Sequence, residues 1–240
     1  MKLTDFKALT FDCYGTLIDW ETGIWNALQP LLCQVGLDIE RENALAAFGL
    51  YEMAQQEQTP SLRYCDLLSV VHARLAKAWG ADIHAEMNDR FGASVPDWPA
   101  FADSGESLAY LKRHYKLIIL SNVDRKSFAA SNKKLGVSFD AVYTAEDIGS
   151  YKPDPRNFAY LLEHLQADFG IGRNEILHTA QSLIHDHVPA EKACLARAWI
   201  DRRFGKPGGG ATVLPETMPK VDFHFKSMAE LAAAHRDCVT

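Results

Sequence analysis

The sequence predicts an α/β fold in which a doubly wound parallel β-sheet carries an inserted helical cap. Six short apolar runs alternate with helical stretches, and such alternation is typical of a parallel sheet covered by helices on both faces. A stretch of helical periodicity separates the first run from the second, and it is far longer than one crossover connection needs. The six predicted strands are residues 8–11, 117–120, 141–144, 176–179, 198–200 and 223–225.

The predicted cap occupies residues 20–98, between the two parts of a core domain formed by residues 1–19 and 99–240. It ends at Trp98, because the residue before a proline is pushed out of the helical conformation and Pro99 follows. Within the cap, apolar side chains recur at the spacing of amphipathic helices. They are Trp25, Leu28 and Leu32 on one helical face and Leu67, Leu68, Val71, Leu75 and Trp79 on another.

Two helices of the core have recognisable first turns. The run from Asp103 to Glu106 and the run from Ser227 to Glu230 both match the capping box, in which two side chains three residues apart bond each other's backbone amides. We therefore predict that a helix begins at each run.

The composition argues against several classes of partner. The 240 residues carry a formal net charge of −6, which gives no electrostatic basis for binding nucleic acid or an anionic membrane. The first residues lack the apolar segment of a signal peptide, and no apolar run approaches the roughly 20 residues of a membrane span. The five cysteines form no close pair, as is typical of reduced thiols. We predict a cytoplasmic protein.

Polar side chains stand just past the ends of four predicted strands. Because the carboxyl ends of strands in a doubly wound sheet meet at one crevice, these side chains are predicted to form a single site. They are Asp12 and Thr16 after the first strand, Ser121 and Asn122 after the second, Lys152 after the third, and Ser182, His185 and Asp186 after the fourth.

These residues resemble the motifs of the haloacid dehalogenase superfamily along nearly the whole chain. The resemblance implies a Rossmann-like core in which Asp12 attacks the substrate and becomes a covalent ester or phosphoester. It also implies that Lys152 keeps Asp12 ionised, and that Thr16, Ser121 and nearby amides position the anionic group of the substrate. The matching segments are residues 12–16, 121–122, 152–153 and 178–186.

Two departures from the phosphatases of this superfamily indicate the subclass. Those enzymes need a second acid two residues after the nucleophile, where this chain has Tyr14, and an acidic Mg²⁺ ligand in the fourth motif, where it has Gln181. Mg²⁺ favours carboxylate oxygens, so both departures weaken a metal site. They favour chemistry at carbon with no metal or other cofactor. This resembles the type II 2-haloacid dehalogenases, which act on small carboxylic acids.

The dehalogenase motifs for halide release are incomplete. Those enzymes use a cap arginine to receive the halide, and the candidates here are Arg41, inside a charged run, and Arg63. Phe158 stands where the dehalogenases carry a tyrosine, and residues 180–186 differ from their serine- and asparagine-rich run.

A closer resemblance is to the L-azetidine-2-carboxylate hydrolase branch of the same group, carried by residues 11–24 and 178–187. It implies that Asp12 attacks C2 of the four-membered ring, that the ring nitrogen departs, and that the product is 2-hydroxy-4-aminobutyrate. An amine leaves protonated, so this reaction needs an acid or a protonated ring nitrogen. His185, Asp186 and His187 supply titratable groups at the crevice.

Several roles stay open at this point. One possibility is that Asp186 or His185 orients the hydrolytic water. The other is that Asp186 has a structural role and bonds the backbone or Lys152. Ser182 bonds either a neighbouring carboxylate or the substrate. Trp20 and Trp25 line the pocket or pack in the core, and Tyr14 is predicted to bind the substrate. The alternative functions are a 2-haloacid dehalogenase, a Mg²⁺-dependent phosphatase and a non-catalytic binding protein. The predicted partner is a small carboxylate substrate, and the resemblance suggests a homodimer.

Overall fold

The computed structural model describes residues 1–36 and 38–239 and contains the predicted parallel sheet, in the order β3-β2-β1-β4-β5-β6. The chain adds β2 and β3 on one side of β1 and then crosses to add the last three strands on the other. The doubly wound α/β fold is therefore confirmed. The strands are β1 (Ala8–Phe11), β2 (Lys116–Ser121), β3 (Ala141–Thr144), β4 (Ile176–Ala180), β5 (Ala196–Ile200) and β6 (Phe223–Phe225).

The central strands β1 and β4 are buried along their whole length. Parallel strands are covered by helices on both faces and therefore read as continuous apolar runs, as β1 does. In β1, Phe11 is level with Ile119 of β2 and with Thr179 of β4, so the three strands end at nearly the same height. The polar residues that follow them are consequently brought to one edge, where the strand order reverses.

Four α-helices lie within the described residues of the predicted cap, and the division into core and cap stays a prediction. None of the helices in the described part of the chain combines the length and apolar character of a membrane span. The helices are α1 (Trp20–Val35), α2 (Arg41–Gln58), α3 (Tyr64–Ala78), α4 (Ala85–Gly92), α5 (Ser104–Leu111), α6 (Arg125–Leu135), α7 (Ala145–Ile148), α8 (Pro155–Phe169), α9 (Val188–Lys192) and α10 (Met228–Val239).

Helix α5 begins where it was predicted, but the capping box at Asp103 is wrong. The Asp103 carboxylate accepts hydrogen bonds from Arg202, at 2.9 and 3.0 Å, and from the Ala229 amide at 3.0 Å. The Asp103 side chain thus makes charge-assisted tertiary contacts and does not cap the first turn of α5. At α10 the Ser227 hydroxyl does accept from the Glu230 amide at 3.1 Å, although the Glu230 carboxylate accepts from Lys226 instead of Ser227.

Trp98, at the end of the predicted cap, is fully buried and connects three segments that reach the site. Its ring packs edge-on against Tyr14 and Tyr64, with centroids 5.6 and 6.4 Å away. The Trp98 ring also contacts Gly23 of α1, so closely that a Cβ at Gly23 would overlap the indole.

Replacing Gly23 with alanine is expected to destabilise the protein, although alanine favours the helix by roughly 1 kcal/mol. Overpacking a core costs about 1–3 kcal/mol, and the new Cβ would lie 2.2 Å from the Trp98 ring. Urea unfolding measures the net loss. Gly105→Ala in α5 is the control, because the nearest atom would be 3.3 Å from the new Cβ; equal effects of the two substitutions would contradict the packing argument.

Candidate active site

Asp12 lies directly after β1, buried at the carboxyl edge of the sheet. Its Oδ1 accepts from the Lys152 ammonium at 3.0 Å, and its Oδ2 accepts from the Thr16 hydroxyl at 2.9 Å. The turn between Asp12 and Thr16 passes through Gly15 at φ +92°, a conformation that side chains disfavour. The glycine therefore allows Thr16 to return beneath the carboxylate. Burial raises the pKa of Asp12 to about 6, with Lys152 opposing and Asp186 adding to the shift.

Lys152 is buried and uses all three ammonium hydrogens. Its Nζ donates to Asp12 Oδ1 at 3.0 Å, to Asp186 Oδ1 at 2.6 Å and to the Leu120 carbonyl at 2.8 Å. Burial alone would lower the pKa of Lys152, but the two carboxylates outweigh burial and raise it. Lys152 therefore stays charged and holds both carboxylates at fixed positions.

Asp186 comes from the π-helical turn Leu183–His187 that follows β4. Its Oδ1 bonds Lys152 and also the His178 Nε2 at 3.0 Å, while His178 Nδ1 bonds the Thr10 hydroxyl at 2.8 Å. Burial alone would raise the pKa of Asp186, but Lys152 and His178 hold it well below its usual range. Its Oδ2 is buried without a hydrogen-bond partner in the described part of the chain. That oxygen is an ionised acceptor for water or substrate.

Ser182 and His185 belong to the same turn. The Ser182 hydroxyl accepts from the His185 amide at 3.2 Å and lies 3.1 Å from His185 Nδ1. Burial lowers the pKa of His185 to about 4, so the ring is neutral at neutral pH. Its Nε2 is buried and has no hydrogen-bond partner among the described residues. Within the described chain Ser182 thus bonds His185 and not a carboxylate, and its contact with the substrate stays a prediction.

A cavity of about 40 Å³ lies at this edge of the sheet. A buried water needs about 10–15 Å³ by this measure, so the cavity suits a ligand of few heavy atoms. All of the predicted site residues line it except Thr16. Five further residues line it that the sequence analysis did not assign. These are Glu52, Gln56, Tyr64, Val123 and Thr212.

Two predicted substrate-binding residues form hydrogen bonds with Asp12 and Lys152. Thr16 is fully buried, and its hydroxyl both donates to Asp12 and accepts from the Gln181 amide at 2.9 Å. Asn122 lines the cavity, but its amide bonds both the nitrogen and the carbonyl of Lys152, at 2.7 and 2.9 Å. Ser121 differs, since its buried hydroxyl has no partner in the described chain and can bind substrate.

Tyr14 cannot replace the missing second acid of the phosphatases. Its hydroxyl bonds Ser131 Oγ of α6 at 2.8 Å, and burial raises the pKa of Tyr14 well above its usual value. It contributes to the cavity wall and to the packing around Trp98. Trp20, at the first turn of α1, likewise lines the cavity while packing edge-on against Phe48. Trp20 thus lines the cavity and packs in the core at once, Trp25 does not line the cavity, and substrate binding by Tyr14 stays a prediction.

The residues considered for halide release lie elsewhere. Arg63 is exposed and pairs with Asp66 at 2.9 Å, and Arg41 donates to the Thr22 hydroxyl at 3.2 Å. Neither lines the cavity beside Asp12. Phe158 is buried with its ring edge-on to His178, 5.0 Å between centroids, and therefore supports the position of Asp186 indirectly.

Glu52 of α2 is the most unusual side chain that the sequence analysis missed. It is 3% exposed, and its Oε1 accepts from the Tyr64 hydroxyl at 2.7 Å. Burial raises its pKa to about 7; Tyr64 opposes this shift and the charge of Asp12 adds to it. A signal was present, because the buried face of α2 runs through Leu45 and Phe48 and then continues as Glu52. Glutamate is rarely buried unless it has a partner, which here is Tyr64.

Thr212 reaches the cavity on the loop of residues 207–213. Arg203 connects this loop to two cap helices, since it donates to Glu21 of α1 at 2.7 Å, to Glu42 of α2 at 2.5 Å and to the Pro207 carbonyl at 2.9 Å. The cavity is thus enclosed by the sheet edge, by the helices α1 to α3 and by this loop.

Comparison with known proteins agrees with this architecture. A family model described as haloacid dehalogenase-like hydrolase matches residues 6–178. The (S)-2-haloacid dehalogenase 4A of Burkholderia cepacia is 28% identical over 178 residues, which cover 71% of this chain and 72% of that protein. The L-2-haloacid dehalogenase of Xanthobacter autotrophicus has the same fold, with a TM-score of 0.77 at 18% identity, over 96% of this chain and 98% of that one. A second structure of that enzyme holds chloropropionic acid covalently bound.

Proposed function

The chain belongs to the haloacid dehalogenase-like hydrolases, and from this premise we propose that it hydrolyses a small 2-substituted carboxylic acid through an ester of Asp12. The substrate that we propose is L-azetidine-2-carboxylate. Asp12 Oδ attacks C2, the C2–N bond breaks, and its electron pair passes to nitrogen. Water then attacks the ester carbonyl carbon, which releases 2-hydroxy-4-aminobutyrate and one proton and restores the Asp12 carboxylate.

The observation that carries this proposal is the charge distribution of the cavity wall. Lys152 is the one arginine or lysine among the described residues that line it, and its three hydrogens are already donated to Asp12, Asp186 and Leu120. A departing halide is an anion and needs a donor of its own. The wall offers instead the carboxyl group of Glu52. An amine leaving group can pair with the Glu52 carboxyl group in either protonation state, whereas the ionised form of Glu52 would repel a halide.

The remaining wall suits a small carboxylate. The unpartnered Ser121 hydroxyl can donate to the carboxylate of the substrate, and the buried Asp186 Oδ2 can accept from the attacking water. Near-complete burial of Asp12 and Asp186 keeps bulk water away from the ester. Halide release from an L-2-haloacid is the second candidate, favoured by the likeness to the Burkholderia cepacia dehalogenase.

Product analysis tests the proposal. The protein is incubated separately with L-azetidine-2-carboxylate and with 2-chloropropionate, each with and without a chelator, and primary amine and chloride are measured. We expect amine release that the chelator does not change, because the Lys152 ammonium already pairs with both carboxylates that would otherwise hold a cation. Chloride release alone would establish the dehalogenase, and chelator-sensitive hydrolysis of a generic phosphate ester would revive the phosphatase alternative.

A further inference from the structure

We propose that Glu52 is the general acid that protonates the departing ring nitrogen, and that Tyr64 positions it and tunes its acidity. This inference rests on the ring-opening function proposed above. It assigns to a cap side chain a chemical step for which the sheet edge offers no group.

The position of Glu52 fits that step. Asp12, Lys152 and Asp186 reach the cavity from the carboxyl edge of the sheet, whereas Glu52 reaches it from α2. A direct displacement at carbon requires the leaving group to depart on the face opposite the nucleophile. A proton donor must therefore come from a different wall than Asp12 does, and α2 supplies one.

The hydrogen bonding of Glu52 leaves one carboxyl oxygen available. The Tyr64 hydroxyl donates to Oε1 at 2.7 Å, and the side chain has no other hydrogen bond in the described part of the chain. A proton on Oε2 can thus be presented to a ligand while Oε1 stays anchored. Tyr64 is itself buried and held against Trp98, so the carboxyl group is fixed by packing as well as by its hydrogen bond.

Apart from Asp12 and Glu52, the titratable groups around this cavity each have one dominant protonation state near neutral pH. Lys152 is charged and shared between two carboxylates, Asp186 is ionised, and burial keeps the pKa of His185 at about 4. Burial raises the pKa of Tyr14, Tyr64 and Tyr151 above the usual phenol value. Glu52, with its pKa raised to about 7, is the described acid of this group that holds a proton and can release it at neutral pH.

The protons balance through the cycle. The ring nitrogen enters as a secondary ammonium, NH₂⁺, and the C2–N bond leaves its electron pair on that nitrogen as it breaks. This pair takes the proton of Glu52, which gives a primary ammonium group beside the Glu52 carboxylate. Ester hydrolysis releases one proton, and that proton returns Glu52 to its acid form. The new lone pair exists only as the bond breaks, so the acid favours the transition state over the bound substrate.

Glu52→Gln tests the inference, with Glu57→Gln, exposed on the same helix, as the matched control. We expect kcat/KM for L-azetidine-2-carboxylate to fall about 10²- to 10⁴-fold in Glu52→Gln and to be unchanged in Glu57→Gln. The wild-type pH profile should be bell-shaped. It should rise with the ionisation of Asp12, whose buried carboxyl has a pKa of about 6, and fall as Glu52, with a pKa of about 7, loses its proton. The falling limb should vanish in Glu52→Gln.

Tyr64→Phe provides an independent readout. The Tyr64 hydrogen bond lowers the pKa of Glu52, so its removal should move the falling limb to higher pH without abolishing it. The inference is overturned if the wild-type enzyme opens the ring while Glu52→Gln, with an unchanged melting temperature, keeps its rate and its falling limb. If Glu52→Gln does not fold, the inference is overturned when the falling limb of the pH profile lies at the same pH in Tyr64→Phe as in the wild type. A wild-type enzyme that does not open the ring defeats the proposed function instead.

Discussion

Replacing Asp12 with asparagine is expected to lower turnover by about 10⁴-fold or more, because the amide is a poor nucleophile and no ester can form. The fold should survive the substitution. An asparagine side chain keeps the shape of the carboxyl group, and its oxygen can still accept from Lys152 or Thr16. Slow deamidation of the asparagine would restore traces of activity, and intact-mass measurement quantifies that fraction.

The covalent step is checked by isotope transfer. In a single turnover in ¹⁸O-labelled water, the peptide that contains Asp12 should gain the label, because water attacks the aspartyl carbon and leaves its oxygen there. The Asp12→Asn protein should gain none, and an exposed control such as Asp82→Asn should behave like the wild type. Label that enters only the product would rule out the ester.

Replacing Lys152 with methionine is expected to have the largest effect on stability. Lys152 separates two carboxylates that are almost completely buried. Removing one partner from a buried charge cluster typically costs about 3–5 kcal/mol. Turnover should also be lost, since Asp12 would no longer be held ionised. Urea unfolding at pH 7 measures the stability, and exposed Lys192→Met is the control.

The pH dependence of this loss has a defined sign. In the native protein burial acts to raise the pKa of Asp186, but Lys152 outweighs burial and holds this pKa below its ordinary value of 3.8. The ionised Asp186 therefore stabilises the fold at pH values above 3.8, and this stabilisation is lost as the pH falls. Without Lys152, burial raises the carboxyl pKa values, so stability of the variant should return as pH falls. Adding Asp186→Asn to Lys152→Met should recover part of the loss. Parallel pH slopes for wild type and variant would contradict this account.

The sequence alone predicted the parallel sheet and most of the polar residues at its carboxyl edge, because both depend on local chemistry. Buried parallel strands are continuous apolar runs, and a polar residue directly after such a run must lie at the carboxyl edge. Asp12 was located in this way. Lys152 and Asp186 lie further along the chain after β3 and β4, and their convergence with Asp12 followed from topology.

What escaped prediction depends on contacts between distant segments. Glu52 lies far along the chain from Asp12, and nothing local distinguishes it from a solvated glutamate except the apolar face on which it sits. Thr16 was predicted to bind the substrate because sequence spacing cannot show that its hydroxyl donates to Asp12 and accepts from the Gln181 amide. Asp103 was assigned to a helix cap because Arg202, its actual partner, comes from the other end of the core.

The cluster of Asp12, Lys152 and Asp186 carries one more negative than positive charge while the enzyme is at rest, since one ammonium faces two carboxylates. Esterification removes the charge of Asp12 and leaves Lys152 and Asp186 as a neutral pair. The alkylated enzyme is therefore the electrically balanced form of this buried cluster, and the resting enzyme is the unbalanced one. We expect the ester to form readily and to accumulate. Its hydrolysis restores the extra buried charge and should therefore be the rate-limiting step of the cycle.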